Sequence, residues 1–212
     1  MRLILASSSP RRKEILSLLG LPFDVVSPGI EEVFLVSRSP TDEAVYWALE
    51  KARVVHRLHP DAIVIGSDTV IDLEGKTIGK PAGRDDAVRI LSLLVGRTHA
   101  VVTAVAAALP DGNERAAIET TIVRMHPASK EILLRYVATG EPLDKAGAYS
   151  LQGEGRQLID SVEGDYLAAV GLPLRAVAGL LREAGIRPAA DVEAIYRRRN
   201  IMNWQSYEGM TG

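Results

Sequence analysis

Near the start of the chain, Ala6-Ser7-Ser8-Ser9-Pro10-Arg11-Arg12 gathers three hydroxyls and two guanidinium groups just after a short apolar run, Leu3 to Ala6. Ser9 followed by Pro10 reads as an N-cap with proline in the first helical position. A strand therefore delivers hydroxyls, open backbone N–H groups and arginines to one helix N-terminus, a combination suited to phosphate. The plain alternative is a capped surface helix with two solvated arginines. Asp68 stands out for a different reason. It lies inside Ile63-Val64-Ile65-Gly66-Ser67-Asp68-Thr69-Val70-Ile71, where a carboxylate is costly to bury unless paired, hydrogen-bonded or metal-bound. Alternation turning Asp68 to solvent is the competing reading, while Gly66 beside it suggests a close approach to the backbone.

Glu74-Gly75-Lys76 reads as a hairpin turn that brings Gly79-Lys80-Pro81 to within about a nanometre of Asp68. A three-residue loop sets Val70 opposite Lys80, and a one-residue slip sets Thr69 there instead. Lys80 could reach a phosphate or serve as an edge charge. Glu31 and Glu32 are loop acids, solvated or, beside a polyphosphate, able to help hold Mg²⁺. Lys51 is a further cation that resembles any surface lysine. Gln152 offers a donor and an acceptor suited to a nucleobase edge, or to bracing its own loop. The histidines (His56, His59, His99 and His126) show no metal-ligand spacing, which argues against zinc. No P-loop, dinucleotide fingerprint or nucleophile elbow is present.

The elements that must position these groups interleave. Strands are expected at Leu3–Ala6, Phe23–Ser27, Ala62–Leu73, Thr77–Gly79, Thr98–Leu109, Ala116–His126, Gln157–Val162 and Asp165–Val170. Helices are expected after Ser9, from Ser39 to about Leu58 with Ala44, Ala48, Ala52 and Val55 inward, at Arg84–Val95, at Lys130–Thr139, and from Pro173 to Gly185 as the last core helix. Hairpins among alternating helices and strands point to an α/β fold with a mixed sheet flanked by helices. The 212 residues, 47% hydrophobic, suffice for one large domain or two closely packed lobes. A net charge of -2 and 5% aromatic content disfavour a nucleic-acid partner. The absence of cysteine makes a cytoplasmic location the default. Leu3–Ala6 is too short for a signal sequence, and no run approaches the roughly 20 apolar residues of a membrane span.

Several segments together resemble the Maf family: Ala6 to Arg12, Ile30-Glu31-Glu32, Glu50-Lys51-Ala52, Gly66-Ser67-Asp68-Thr69, Gly79-Lys80-Pro81, Glu141 to Tyr149 and Val170-Gly171-Leu172-Pro173-Leu174. The resemblance assigns residues 1–186 to a Maf-like domain and leaves 187–212 as a tail outside it, where Arg197-Arg198-Arg199 reads as a solvated helix face. It implies an elongated mixed sheet similar to inosine triphosphate pyrophosphatases, with a deep cleft between two lobes. It also implies hydrolysis of nucleoside triphosphates to the monophosphate and pyrophosphate with a divalent metal cation, Mg²⁺ or alternatively Mn²⁺. By position, Asp68 matches the proton acceptor, and Arg11, Thr69 and Gln152 match residues governing substrate choice. Ser7, Arg11, Arg12, Lys51 and Lys80 match the phosphate site, and Glu32 with Asp68 (Glu31 as a further candidate) the metal. Asp68 is thus either a base or purely a metal ligand.

Tyr149-Ser150-Leu151-Gln152-Gly153 resembles the subgroup acting on dTTP and UTP, or on modified pyrimidine nucleotides. Ser150 stands where glycine is commoner there, and Ser67 where many members have alanine. Some members are linked to arrest of septum formation, so a nucleotide-binding regulator of cell division with incidental hydrolysis is the second reading. Homodimers are common in the family.

Overall fold

The apolar run around Asp68 is a single long strand, and the other elements are arranged on it. The computed structural model describes residues 1–32, 38–200, 202 and 204–207; part of the expected 187–212 tail thus lies outside the described residues. The strands are β1 (Arg2–Ala6), β2 (Asp24–Val26), β3 (Ala62–Leu73), β4 (Lys76–Ile78), β5 (Thr98–Ala108), β6 (Glu114–Met125) and β7 (Ile159–Glu163). The helices are α1 (Pro10–Ser17), α2 (Pro40–Leu58), α3 (Arg84–Leu94), α4 (Lys130–Ala138), α5 (Tyr166–Val170), α6 (Leu174–Glu183) and α7 (Val192–Arg198). Short 3₁₀ turns fill Glu141–Asp144, Ala146–Ala148 and Gly153–Leu158. The sheet order is β2-β1-β3-β5-β6-β7, with β4 also on β3. Pairs β1/β2 and β1/β3 are parallel and the rest antiparallel, so the expected α/β fold with a mixed, helix-flanked sheet is what forms.

Alternation along β3 divides the core. Val64 and Val70 face α2, packing with Ala44, Ala48, Ala52 and Val55. Ile63, Ile65 and Ile71 face the other side, with Ile15 and Leu16 of α1, Leu91 of α3 and Leu181 of α6. Small residues along α2 let it lie close to the sheet. The closest approach is at Gly66, where an added Cβ would stand 2.8 Å from the Ala52 nitrogen and closer still to the Ala48 carbonyl oxygen. The close approach expected at Gly66 is therefore made by a helix backbone.

β3 is paired unevenly. β5 covers Val64 to Asp72 along one edge. On the other edge, β1 pairs Ala62 to Gly66 and β4 pairs Ile71 to Leu73. Among the described residues, no strand fills the edge from Ser67 to Val70. The chain leaves β1 at Ala6 and turns into α1 there, so the sheet is split beside Asp68.

Three expectations are corrected. The hairpin has a two-residue turn, with Glu74 at φ 55° and Gly75 at φ 80°, and Leu73 pairs with Lys76. Positive φ at both central residues gives the turn whose twist matches the strands; the Asp72 carboxylate accepts the Gly75 N–H at 2.7 Å. The slipped register is thus the true one, and Lys80 lies past the end of β4 on the side of Thr69. Asp165–Val170 is α5 rather than a strand, because the Asp165 carboxylate caps the N–H groups of Leu167 and Ala168 at 2.9 and 3.2 Å. Finally, α6 is not the last helix of the core: α7 follows, and its Val192 and Tyr196 are buried.

Replacing Gly66 with alanine is expected to force α2 off the sheet and cost about 1–3 kcal/mol, the usual penalty of overpacking. Urea unfolding of Gly66→Ala against wild type measures it.

Candidate active site

Asp68 falls on the α2 face of β3 by alternation, next to the split in the sheet, and is buried. Because α2 lies so close at Gly66, Lys51 reaches down to it. Lys51 Nζ donates to Asp68 Oδ1 at 2.6 Å and stands 2.6 Å from Glu32 Oε1. Lys80 Nζ meets the other Glu32 oxygen at 3.3 Å. Lys80, expected near Asp68 as a phosphate cation or an edge charge, therefore pairs with Glu32. Glu32 is half-buried, and Glu31 is exposed beside it.

The electrostatics separate the two carboxylates. Burial pushes the Asp68 carboxyl above its ordinary pKa, with Lys51 and Arg12 opposing. Burial also pushes Glu32 upward, but Lys51 and Lys80 outweigh it and hold Glu32 below the ordinary range. Asp68 Oδ2 is buried without a hydrogen-bond partner among the described residues. An orphaned carboxylate oxygen next to a second carboxylate is a donor set that suits a hard cation completing its shell with phosphate and water. A divalent ion thus fits Glu32 and Asp68 on chemical grounds, although no group of three or more His, Cys, Asp or Glu side chains placed to hold a metal occurs among the described residues.

The serine–arginine corner faces the same space. Ser9 caps α1, its hydroxyl accepting the Arg12 N–H at 3.4 Å, and the Ser7 hydroxyl accepts the Ser9 N–H at 3.1 Å. The Arg12 side chain is locked from the far side: Nε donates to the Gly171 carbonyl at 2.8 Å and Nη2 to Thr69 Oγ1 at 3.2 Å. Desolvation lowers the Arg12 pKa, opposed by Asp68 and Glu32. Ser67 also donates to the Gly171 carbonyl, at 3.1 Å, and to that of Ala104 at 2.9 Å. Ser67 and Gly171 are thus bracing residues for Arg12.

Residues 149–152 form a further part of the cavity wall, held by side chains that sequence reasoning missed. Tyr149 Oη and His99 Nε2 lie 2.8 Å apart. Tyr136 donates to Glu141 Oε1 at 2.9 Å and accepts the Ser150 N–H at 3.1 Å. Glu141 also accepts the N–H groups of Glu154 and Gly155 at 2.9 and 3.0 Å. Gly155 fits because nothing larger would: an added Cβ would stand 2.6 Å from the Ser150 oxygen. One signal was available. His99 and Tyr136 occupy inward positions of β5 and α4, where a polar atom needs a partner.

These walls bound one cavity of about 410 Å³. Ser7, Arg11, Arg12, Glu32, Lys51, Asp68, Thr69, Lys80 and Gln152 all line it. Every numbered candidate from the sequence except Glu31 is brought to this one place, which is large enough for a nucleotide.

Cations and two acids thus converge on one cleft at a split in a mixed α/β sheet. The sequence profile of Maf-like proteins matches residues 2–184, and the chain belongs to that family. It is 47% identical over 184 residues to a dTTP/UTP pyrophosphatase of Symbiobacterium thermophilum, covering 87% of this chain and 94% of that protein. It is 40% identical to a dTTP/UTP pyrophosphatase of Bacillus pumilus, covering 88% of this chain and 98% of that protein. Among solved structures, it is similar to a HAM1 protein from Coxiella burnetii, with 13% identity, a TM-score of 0.48 and coverage of 87% of this chain and 100% of that one.

Burial lowers the His99 pKa from 6.5 to about 4. A histidine held neutral in the fold stabilises it above the unfolded pKa, and that stability is lost as pH falls toward the folded value. Between pH 6.5 and 4 the wild type should lose about 3 kcal/mol through this residue. Denaturant titrations at both pH values should show a shallower acid slope for His99→Gln.

Proposed function

We propose that this chain hydrolyses dTTP and UTP, or closely related modified pyrimidine nucleotides, to the monophosphate and pyrophosphate, with a divalent metal ion, Mg²⁺ or Mn²⁺. The observation that carries this reading is the convergence of Arg11, Arg12, Lys51 and Lys80 with Asp68 and Glu32 on one cavity that also includes Gln152. The relatives named dTTP/UTP pyrophosphatase support the substrate class.

The triphosphate docks by its charge. The Ser7–Arg12 corner presents backbone N–H groups and a guanidinium already fixed by Gly171 and Thr69, so little ordering cost remains when phosphate arrives. Lys51 and Lys80, now paired with carboxylates, gain phosphate oxygens as further partners and disperse the charge of the departing pyrophosphate. Glu32 and Asp68 would hold the metal ion, whose contribution is Lewis-acid polarisation of a phosphoryl oxygen. Asp68 takes the proton of the attacking water. Its orphaned Oδ2 favours that role, whereas both oxygens of Glu32 are engaged by Lys51 and Lys80. Gln152 meets the edge of the base, where its amide can donate and accept at once.

With dTTP or UTP and Mg²⁺, the purified protein should release one pyrophosphate and one monophosphate per turnover, and EDTA should stop the reaction. Asp68→Asn should lower kcat by about 10²-fold or more, as expected for loss of a general base, with its circular dichroism unchanged. A folded Asp68→Asn protein of near-normal turnover would contradict the assignment. Gln152→Ala should weaken the preference for dTTP and UTP over CTP and GTP in kcat/KM comparisons.

A further inference from the structure

The described residues beyond the family match pack back onto the fold. The N–H groups of Ala189 and Ala190 bond back to the Leu19 carbonyl at 3.0 and 3.2 Å. Asp191 caps α7, accepting the Ala194 N–H at 3.0 Å. Tyr196 on that helix donates to Asp165 Oδ2 at 2.6 Å. Trp204 then stacks on Tyr166, with ring centres 5.3 Å apart and planes 19° from parallel, and meets Tyr196 edge-on at 5.2 Å. Tyr207 packs on the same Tyr166 ring at 5.6 Å, and its hydroxyl donates to the carbonyl oxygen of Leu151. Tyr196, Trp204 and Tyr207 are all buried.

That last bond falls at a telling place. The carbonyl of Leu151 and the N–H of Gln152 are two ends of one planar peptide unit. The N–H end is already held, donating to Ser150 Oγ at 3.1 Å. With Tyr207 on the other end, both polar groups of the unit are tied, and rotation of the plane would break two hydrogen bonds. That plane fixes the nitrogen and Cα of Gln152 and, with a φ of -101° there, sets the direction in which the side chain leaves the backbone.

We propose that Tyr207 is a positioning residue for base selection: the tail straps the 150–152 segment so that the Gln152 amide is held at the angle a pyrimidine edge requires. This rests on the reading that Gln152 meets the base. None of the described tail residues lines the cavity, so their influence falls on substrate discrimination and KM.

The test is full-length Tyr207→Phe, which keeps the ring on Tyr166 and removes the hydroxyl. KM for dTTP and UTP should rise about fivefold, the usual worth of one positioning hydrogen bond, with kcat little changed. The kcat/KM preference for dTTP and UTP over CTP and GTP should fall in proportion. Ratios between competing nucleotides do not depend on the fraction of active enzyme, so partial unfolding does not mask the result. A wild-type preference in Tyr207→Phe, including one accompanied by a lowered melting temperature, would mean that the tail merely packs, and it would overturn the proposal. Gln152→Ala, run in parallel, separates the two ideas. If it loses the preference while Tyr207→Phe keeps it, the strap fails and the base reading stands. If Gln152→Ala keeps the preference, the base reading itself fails and the strap falls with it. In the double variant, Tyr207→Phe should add little to Gln152→Ala, since both act through one amide.

Discussion

Lys51 bridges two carboxylates because a helix rests on a strand residue that has no side chain. At Gly66 the backbone of α2 takes the space a Cβ would fill. That depth lets an ammonium on α2 come within 2.6 Å of both Asp68 and Glu32. A buried carboxylate without a cation would be protonated or expelled, and a buried ammonium without anions would be equally costly. The pairing allows an ionisable acid to sit in the middle of an apolar strand. It also leaves one oxygen of that acid without a hydrogen-bond partner among the described residues, a useful arrangement in a site built to meet water, metal or phosphate.

A second constraint follows from the sheet itself. β3 is longer than either neighbour on its outer edge, and the gap between β1 and β4 opens beside Asp68. Two parts of the chain enter the gap with opposite characters. The turn into α1 brings N–H groups and arginines, and the Pro28–Glu32 loop brings acid. Arg12 is then fixed from behind by the Gly171 carbonyl at the end of α5. The positive corner is thereby tied to the C-terminal half of the chain, and through Tyr166 at the start of α5 to the aromatic tail.

Much of this was legible from one end of the chain to the other. Ser9-Pro10 and Ser39-Pro40 marked true helix starts, because a capping hydroxyl and a proline act on their own turn. Ala44, Ala48, Ala52 and Val55 were the inward face of α2, because helical spacing is a local property. The failures have equally physical causes. Tyr166-Leu-Ala-Ala-Val170 is short and apolar enough to read as a strand, and the cap on Asp165 decided for helix. The hairpin register depended on positive φ at Glu74, an acid that tolerates that region less readily than glycine. Gly66 was recognised as a point of close approach, but no local pattern could name α2 as what approaches.

Residue types and their order were enough to specify most strands and helices and the sites where anions and cations are concentrated, and with the family resemblance they named nine of the residues that line the cleft. These properties depend on neighbours a few positions apart. Tertiary structure alone decided which charges meet. Lys51 chose Glu32 and Asp68, Lys80 chose Glu32, and Arg12 found Gly171 across 159 positions of chain. It also decided that Tyr207 should reach Leu151. Such contacts are set by how closely helices settle on the sheet and by where strands end, and short-range sequence patterns do not encode those distances.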